Sequence, residues 1–420
     1  MPRPEPRTGA GRPRGWAAVR PEELRALLWS FAYFFCLLAS YYILRPLRDE
    51  MGVAGGVRNL HWLFTATFVA MLVAVPVFGA VVARLPRRRF IPLVYHFFVL
   101  NIAVFWVLLA LGIDKETTAR VFFVWISVFN LFAVSVFWSF MADLFSAEQG
   151  KRLFAYIAAG GSAGALAGPA LTVLLVKLLG TANMLVLAAI LLEAAVLCAL
   201  RIERTQRDET AKQQAVGGNP FAGFALLARS PYLAGIAFWV VLLSLAGTFL
   251  YFEQANVVAA ASSDPAERTR IFASIDLAAG ILTLVVQLAA TGRFMARFGA
   301  GPAAALLPAV FLLGFALLAA GPTIALVVGF QALQRTVNFA VSNPARETLF
   351  TVVGREEKYK AKYIIDGVVF RGADAASASL FNALRGAGWE LSALSLAVLP
   401  LAAAWMALSL ALGRAQERRS

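Results

Sequence analysis

Hydrophobic residues in this chain are grouped into long runs, and the short polar stretches between the runs contain most of the charged residues. Each run has roughly twenty residues, which is the length that a helix needs to cross about 30 Å of hydrocarbon. The pattern predicts an all-α integral membrane protein with twelve membrane-spanning helices. The predicted spans begin near Arg25, Leu60, Phe90, Arg120, Leu153, Ala182, Pro231, Ile271, Pro302, Thr323, Tyr363 and Trp389.

The longest polar stretch, 201–230, follows the sixth predicted span and separates two halves of six helices, 25–200 and 231–413. Two halves of equal helix number are the usual build of secondary transporters. Residues 1–24 are rich in Pro, Gly and Arg, which is typical of a disordered terminus, and they lack the apolar core of a signal peptide. The last residues, 414–420, are predicted to form a short tail.

Composition agrees with a membrane location, because 60% of the residues are hydrophobic and only 15% are charged. Soluble domains carry about 25% charged residues. Two cysteines and two histidines are too few for a disulfide framework or a histidine-rich metal centre, so no metal and no cofactor is predicted. The chain also lacks a Walker motif, so transport would be driven by solute exchange or by a proton gradient.

The distribution of Lys and Arg predicts the orientation of the helices. The termini and the even-numbered links contain 27 of the 38 basic residues, and the odd-numbered links contain nine. Basic residues accumulate on the cytoplasmic side of membrane proteins, so both termini and the central linker are predicted to be cytoplasmic. Because the net charge of +14 lies in these short links, it indicates topology and not a nucleic-acid partner.

Two arginines in the first span are candidates for binding an anionic solute. Tyr41, Arg45, Arg48 and Asp49 follow one another at spacings that place them along one helix face. Arg45 and Asp49 are one turn apart and could form an ion pair. Guanidinium groups bind carboxylate or phosphate through two hydrogen bonds, which favours a substrate site. The alternative is that both arginines extend to the membrane interface.

The tenth span carries a polar stripe that includes Gln331, Gln334, Arg335 and Asn338. Glutamine and asparagine in such a stripe often hydrogen-bond neighbouring helices, so a structural role is the alternative here. Arg335 lies in the middle of an apolar run, where an unpaired charge is costly. Arg335 and Asn338 are therefore predicted to line a substrate cavity.

Carboxylates in other spans are candidates for coupling or gating. Asp276 stands alone in the eighth span, and a lone buried carboxylate suits proton binding and release. Arg371 in the eleventh span is a further substrate candidate, although Asp374 is three residues away and could neutralise it. The predicted coupling or gating residues are Asp49, Asp143, Asp276, Glu347, Asp366 and Asp374.

The fifth span contains small residues at every fourth position from Gly160 to Gly168. Small side chains at this spacing allow two membrane helices to pack closely. No strand precedes this segment and no Gly-Lys-Ser/Thr follows it, so it does not fit a phosphate-binding loop. Close helix packing is the predicted role.

The segment from Gly79 to Arg88 resembles the signature of the second link in the major facilitator superfamily, G-x-x-x-D-R-x-G-R-R. Gly79, Arg84, Arg87 and Arg88 match it, whereas Ala83 and Pro86 replace the acid and the second glycine. The link after the eighth span repeats the pattern at Gly292–Arg297. The resemblance implies the major facilitator fold, in which this link helps to hold the two halves together on the cytoplasmic side.

A narrower resemblance is to the nucleotide (ATP/ADP) transporter family, and it covers less than a quarter of the chain. It is carried by Tyr42–Asp49, Phe137–Phe145, Lys151–Ile157, Asn343–Glu347, Lys358–Lys362 and Ile365–Arg371. The family motifs Y-x-x-L-R-x-x-K-D, D-P-x-K-E, K-x-K-G-K and I-D-V-V-x-x-R are similar to parts of these segments. Arg48 replaces the lysine of the first motif, and Asp374 stands where the family has a lysine in R-x-G-K-S.

These features predict a secondary transporter that moves an anionic organic solute, such as a nucleotide or an organic phosphate, by alternating access. Its predicted substrate residues are Arg45, Arg48, Arg335, Asn338 and Arg371. The predicted protein is a monomer of the bacterial cytoplasmic membrane, with the lipid bilayer and a small anion as its partners. A membrane-embedded enzyme and a non-transporting scaffold or sensor are the alternatives.

Overall fold

The computed structural model describes residues 19–84, 87–205, 227, 229–354, 361–362 and 364–419. These residues form helices and connecting turns, with no β-strand among them. The helices are α1 (Pro21–Ala54), α2 (Leu60–Arg84), α3 (Arg87–Ala110), α4 (Lys115–Leu144), α5 (147–179), α6 (181–205), α7 (Pro231–Ala261), α8 (Pro265–Phe298), α9 (Ala300–Ala320), α10 (Ile324–Val352), α11 (364–386) and α12 (Leu391–Glu417).

Helices α5 and α6 follow each other without a loop, and Gly180 separates them. Its backbone has φ 79° and ψ 160°, which no residue inside a helix adopts. A positive φ of this kind costs glycine little because glycine has no Cβ atom. The break therefore divides the continuous segment Ala147–Thr205 into two helices.

The prediction of an all-α membrane protein is confirmed. Ten helical segments of the described chain are long and apolar enough to cross a membrane, and one of them, 152–202, contains both α5 and α6. Helix α11 is not among the ten because several polar and charged residues lower its hydropathy. Counting α5, α6 and α11 separately gives twelve helices, each beginning within six residues of its predicted start.

Three helices extend into segments that were predicted to lie outside the halves. Helix α1 begins at Pro21, α6 continues to Thr205 and α12 continues to Glu417. Apolar runs indicate only the part of a helix that crosses hydrocarbon, so polar turns at its ends are missed. Residues 1–18 and most of the predicted linker, 206–226, lie outside the described residues.

The bundle has two ends, which we call the terminal face, where α1 begins and α12 ends, and the distal face. At the terminal face, Arg419 lies over the ring of Tyr232, with 4.3 Å between its Cζ atom and the ring centroid. The hydroxyl of Tyr232 donates a hydrogen bond of 2.8 Å to the carbonyl of Leu349. These contacts bring the start of α7 and the ends of α10 and α12 together.

Helices α1 and α5 pack closely because glycines face the α1 backbone. A Cβ atom at Gly160 or Gly164 would overlap the carbonyl oxygen of Phe31 or Phe35. At Gly168 it would lie 2.7 Å from the carbonyl oxygen of Ala39. The predicted packing role of the small residues in this span is confirmed.

We expect the substitution Gly164→Ala to destabilise the protein by roughly 1–3 kcal/mol, the usual cost of overpacking a close-packed interior. The clash is with backbone atoms of α1, so the two helices must separate. The matched control is Gly329→Ala in α10, where a Cβ atom meets nothing within 4 Å. Thermal unfolding in detergent would measure both, and an equal melting temperature for the two variants would contradict the expectation.

Candidate functional site

A cavity of about 260 Å³ lies in the middle of the bundle, between the two halves. We call it the central cavity. It is lined by residues of α1, α2, α4, α7, α10 and α11, namely Arg48, Phe64, Thr67, Phe123, Ser127, Leu243, Ser244, Gly247, Thr248, Tyr251, Gln334, Asn338, Phe370, Arg371 and Asp374. Three predicted substrate residues, Arg48, Asn338 and Arg371, are in this lining.

Arg48 enters the central cavity from α1. Its Nη2 and Nε atoms lie 2.6 and 3.0 Å from Oδ1 of Asp49. The hydroxyl of Tyr251 in α7 donates to the same oxygen at 3.1 Å. Arg48 also lies over the ring of Phe123, at 5.1 Å from its centroid. Asp49 thereby connects the arginine to a residue of the other half.

Arg371 enters the central cavity from α11 in the opposite half. Its Nη1 atom lies 3.5 Å from Oδ2 of Asp374, one turn further along the helix. The other carboxylate oxygen of Asp374 accepts hydrogen bonds from Ser244 at 2.5 Å and from Thr248 at 3.5 Å. The predicted contact between Arg371 and Asp374 is present, and two α7 hydroxyls hold the aspartate as well.

Asp276 is the common partner of two arginines from different halves, so the description of it as a lone carboxylate is wrong. Its Oδ1 atom lies 3.6 Å from Nη1 of Arg45 and in ion-pair contact with Nη1 of Arg335. The side chain of Asp276 is only 1% exposed. The predicted pairing of Arg45 with Asp49 is also wrong, because Asp49 takes Arg48 as its partner.

The three side chains of this cluster, Arg45, Asp276 and Arg335, also line a smaller cavity of about 160 Å³ between α1, α5, α8 and α10. On α10, Gln334 and Asn338 lie on either side of Arg335 in the sequence and line the central cavity. The cluster therefore belongs to the electrostatic environment of the central cavity, although it lies behind its wall.

Helix α10 changes its winding where it meets the central cavity. Residues Asn338–Ser342 form a π-helical turn, a feature that is often found at functional sites. The Oδ1 atom of Asn338 is buried and has no hydrogen-bond partner among the described residues. The side chain of Gln334, one turn earlier, does have a partner, because its Nε2 atom donates a hydrogen bond of 2.8 Å to Oε1 of Gln331.

The predicted gating residues near the terminal face do not reach the central cavity lining. Glu347 binds Nζ of Lys362, with both carboxylate oxygens at 2.6 Å. Asp366 lies 3.1 Å from Nη1 of Arg346. Asp143 is half-buried near the end of α4. These positions favour a role in the terminal links and not in solute binding.

The residues of the second-link signature lie at the terminal face, where α2 ends and α3 begins. Gly79 and Arg84 belong to α2, and Arg87 and Arg88 begin α3. Residues 85–86 lie outside the described part of the chain, as do residues 355–360 of the link after α10.

The structure also brings together charged residues at the distal face that the sequence alone had not singled out. Nη2 of Arg268 in α8 lies 2.6 Å from Oε1 of Glu50 in α1, and both side chains are buried. Lys177 in α5 contacts Glu267 in α8 beside this pair. In the sequence, the basic residues of these pairs lie in odd-numbered links and indicate only topology. The pairing itself is not visible there, because the two residues of each pair are about 90 and 220 positions apart.

Aromatic rings close the distal end of the central cavity. The ring of Phe64 in α2 lies 5.5 Å from the rings of Tyr251 and Phe252 in α7, measured between centroids. The ring of Phe252 lies 4.9 Å from that of Phe381 in α11. We call these four residues the aromatic layer. It joins the two halves above the central cavity.

Among the residues that the structure describes, the charged groups in and behind the central cavity do not balance. Arg45, Arg48, Arg335 and Arg371 face three carboxylates, those of Asp49, Asp276 and Asp374. One positive charge remains because Asp276 serves two arginines. Within the described residues, no three His, Cys, Asp or Glu side chains lie close enough together to hold a metal ion.

Comparison with known proteins gave a family and a fold. Residues 27–358 match the model of the family described as the Major Facilitator Superfamily. No curated protein sequence gave a significant match.

Solved structures that resemble this chain share its fold at low sequence identity. The nucleoside transporter NupG is 16% identical, with a TM-score of 0.62 over 95% of this chain and 99% of its own. An auto-inhibited peptide transporter of the POT family is 14% identical, with a TM-score of 0.65 over 94% and 97%. A bacterial homologue of the human lysosomal transporter Spinster, inward-facing and unoccupied, is 14% identical, with a TM-score of 0.60 over 96% and 99%.

Proposed function

The chain belongs to the major facilitator superfamily and is a secondary transporter, not an enzyme, and we propose that its solute is a small organic anion. We propose further that the anion is a nucleotide or another organic phosphate. The transporter would move it by alternating access, with the central cavity exposed first to one face of the bundle and then to the other.

The observation that carries this proposal is the approach of Arg48 and Arg371 to one cavity from opposite halves. Each arginine keeps donors beyond those that its aspartate uses, since a guanidinium has five N–H groups. The side chain of Arg371 is 36% exposed and that of Arg48 is 20% exposed, so both can reach a solute. An anion between them would neutralise the excess positive charge and bind both halves at once.

The resemblance to the nucleotide transporter family supports an organic phosphate as the solute. Arg48 keeps the positive charge of the family's first-helix lysine. Asp374 replaces a lysine, but Ser244, Thr248 and Arg371 hold its carboxylate against the cavity wall. This arrangement leaves fewer positive charges than the family motif has. It therefore favours a solute with fewer negative charges than ATP.

We propose that the structure corresponds to a state closed at the distal face. The ion pairs Glu50–Arg268, Lys177–Glu267 and Arg45–Asp276 cross between the halves, and all three lie in the distal part or the middle of the described bundle. The aromatic layer crosses at the same level. In this proposal Asp49 and Asp276 position arginines during the change of state, and Asp143, Glu347, Asp366 and Asp374 remain candidates for gating.

We expect the substitution Glu50→Gln to weaken distal closure. The change keeps the size of the side chain but removes the negative charge that faces buried Arg268, and breaking a buried ion pair costs about 3–5 kcal/mol. In a protein without native cysteines, Thr67→Cys in the central cavity should then react at least about tenfold faster with an impermeant thiol reagent added at the distal face.

The matched control is Lys177→Gln, which breaks a more exposed ion pair in the same region. Such pairs contribute about 0–1 kcal/mol, so its effect should be small. Equal labelling rates for Glu50→Gln and the unsubstituted protein would mean that this pair does not hold the distal face closed.

We also propose that the terminal face is cytoplasmic, that the protein works as a monomer and that it resides in a bacterial inner membrane. The distribution of basic residues supports the orientation. Protease accessibility of a tag at either terminus, in right-side-out and inverted vesicles, would test it. Cleavage of the tag in sealed right-side-out vesicles would contradict it.

Counterflow in reconstituted vesicles tests the proposed function. Vesicles loaded with AMP, ADP, ATP, sugar phosphates or dicarboxylates would be diluted into a trace of the same radiolabelled compound. We expect transient accumulation with at least one phosphate compound, and stronger accumulation with AMP than with ATP. Absence of accumulation with every one of these anions would overturn the choice of an anion.

A further inference from the structure

A third cavity lies at the distal face, on the far side of the aromatic layer from the central cavity. Its volume is about 370 Å³, and we call it the distal vestibule. Its polar lining consists of Arg58 from the link between α1 and α2, Asn256 from α7, and Asn382 and Arg385 from α11. Both halves therefore contribute to it, as they do to the central cavity.

The aromatic layer lies between the distal vestibule and the central cavity. Phe252 and Phe381 line the vestibule, while Phe64 and Tyr251 line the central cavity. Along α11, Asn382 follows Asp374 by eight residues, which corresponds to about 12 Å of helix. The two cavities are thus stacked along the same two helices, α7 and α11, with one layer of rings between them.

The charge of the distal vestibule has one sign. Within the part of the chain that the structure describes, its lining includes two arginines and two asparagines, and no carboxylate. Arg385 donates through Nη1 to the carbonyl of Trp389 at 2.7 Å, which anchors the side chain and leaves its other donors available. Arg58 and Arg385 are both exposed, so they are accessible to solutes at the distal face.

We propose that the distal vestibule is a second anion-binding site, which holds the solute before the aromatic layer opens. The proposal rests on the proposed function, because it assigns the same class of solute, a phosphate- or carboxylate-bearing organic anion. Two guanidinium groups on opposite halves fit such an anion. A basic mouth also raises the local concentration of anions, and salt weakens this effect.

Thiol modification measures the electrostatic character of the distal vestibule without depending on transport. Cys36 and Cys198 would be replaced by alanine, and Asn382→Cys would be introduced. The rates at which the introduced thiol reacts with a negatively charged and with a positively charged methanethiosulfonate would be compared. The reference is Leu111→Cys in the link between α3 and α4, at a residue that is 69% exposed on the distal face.

We expect the ratio of the anionic to the cationic rate to be at least about fivefold higher at Asn382→Cys than at Leu111→Cys. Adding Arg58→Gln and Arg385→Gln should bring the ratio to that of the reference. AMP or inorganic phosphate should slow the reaction at Asn382→Cys and leave that at Leu111→Cys unchanged. Both arginines are exposed, so their replacement should not prevent folding.

Equal ratios at the two cysteines, or a ratio that persists without the arginines, would overturn the distal vestibule as an anion site. That result is separate from failure of the proposed function, which would appear as absent anion counterflow in the unsubstituted protein. The ratio of the anionic to the cationic rate at Asn382→Cys, measured with both arginines present, tests the proposal by itself. It does so even if the double arginine variant is poorly produced.

Discussion

Replacing Arg371 with glutamine should lower the rate of anion uptake at low solute concentration by about 30-fold. The substitution removes a charged hydrogen-bond donor from the central cavity, at a cost of about 2 kcal/mol in binding or transition-state stabilisation. Asp374 would keep Ser244 and Thr248 as partners, so the variant should fold. Arg371 is for this reason a better residue to substitute than Arg48. Arg48 is the principal charged partner of buried Asp49, so its loss would also leave that carboxylate without its ion pair.

The matched control is Arg270→Gln, which removes an exposed arginine from α8 outside the central cavity. Its uptake should equal that of the unsubstituted protein. Arg371→Lys should fall between the two, because lysine keeps the charge and loses the planar donor pair. Initial rates of labelled phosphate-compound uptake into vesicles would measure all three. Uptake by Arg371→Gln within about twofold of the unsubstituted protein would remove Arg371 from the site.

Replacing Asp276 with asparagine should destabilise the folded protein by about 3–5 kcal/mol. Breaking a buried ion pair leaves an uncompensated charge, and this substitution leaves two, on Arg45 and Arg335. The expected result is a clear fall in the melting temperature in detergent. Uptake should fall as well, because the same arginines support the central cavity.

A second substitution separates the charge effect from a simple loss of packing. Adding Arg335→Gln to Asp276→Asn removes one of the two orphaned charges, so the double variant should be more stable than Asp276→Asn alone. Glu116→Gln is the control, since its pair with Arg120 is exposed and should contribute about 0–1 kcal/mol. If Asp276→Asn melts at the same temperature as Glu116→Gln, the buried cluster does not stabilise the bundle.

The predicted site residues divided into three groups once the helices were placed. Arg45, Asp276 and Arg335 form the buried ion cluster beside the smaller cavity. Arg48, Asn338, Arg371 and Asp374 line one cavity, with Asp49 bound to Arg48 at its edge. Glu347 and Asp366 have partners near the terminal face instead. Charge within an apolar sequence indicates that a residue needs a partner. It does not indicate at which depth, or against which helix, the partner lies.

The sequence by itself determined the helices, because the length of each apolar run is set by the thickness of hydrocarbon that it must cross. It also determined the close approach of α1 and α5, since glycines at every fourth position leave one helix face without side chains. Both properties are local: they depend on residues within one helix and on the solvent around it.

Only the tertiary structure decided which charges meet. Local spacing made Asp49 the expected partner of Arg45, yet Arg45 lies beside Asp276 from the other half. The Glu50–Arg268 pair and the aromatic layer also join helices that are far apart in the chain. Such contacts depend on the rotation and depth of each helix in the bundle, and these are set by packing among all the helices together.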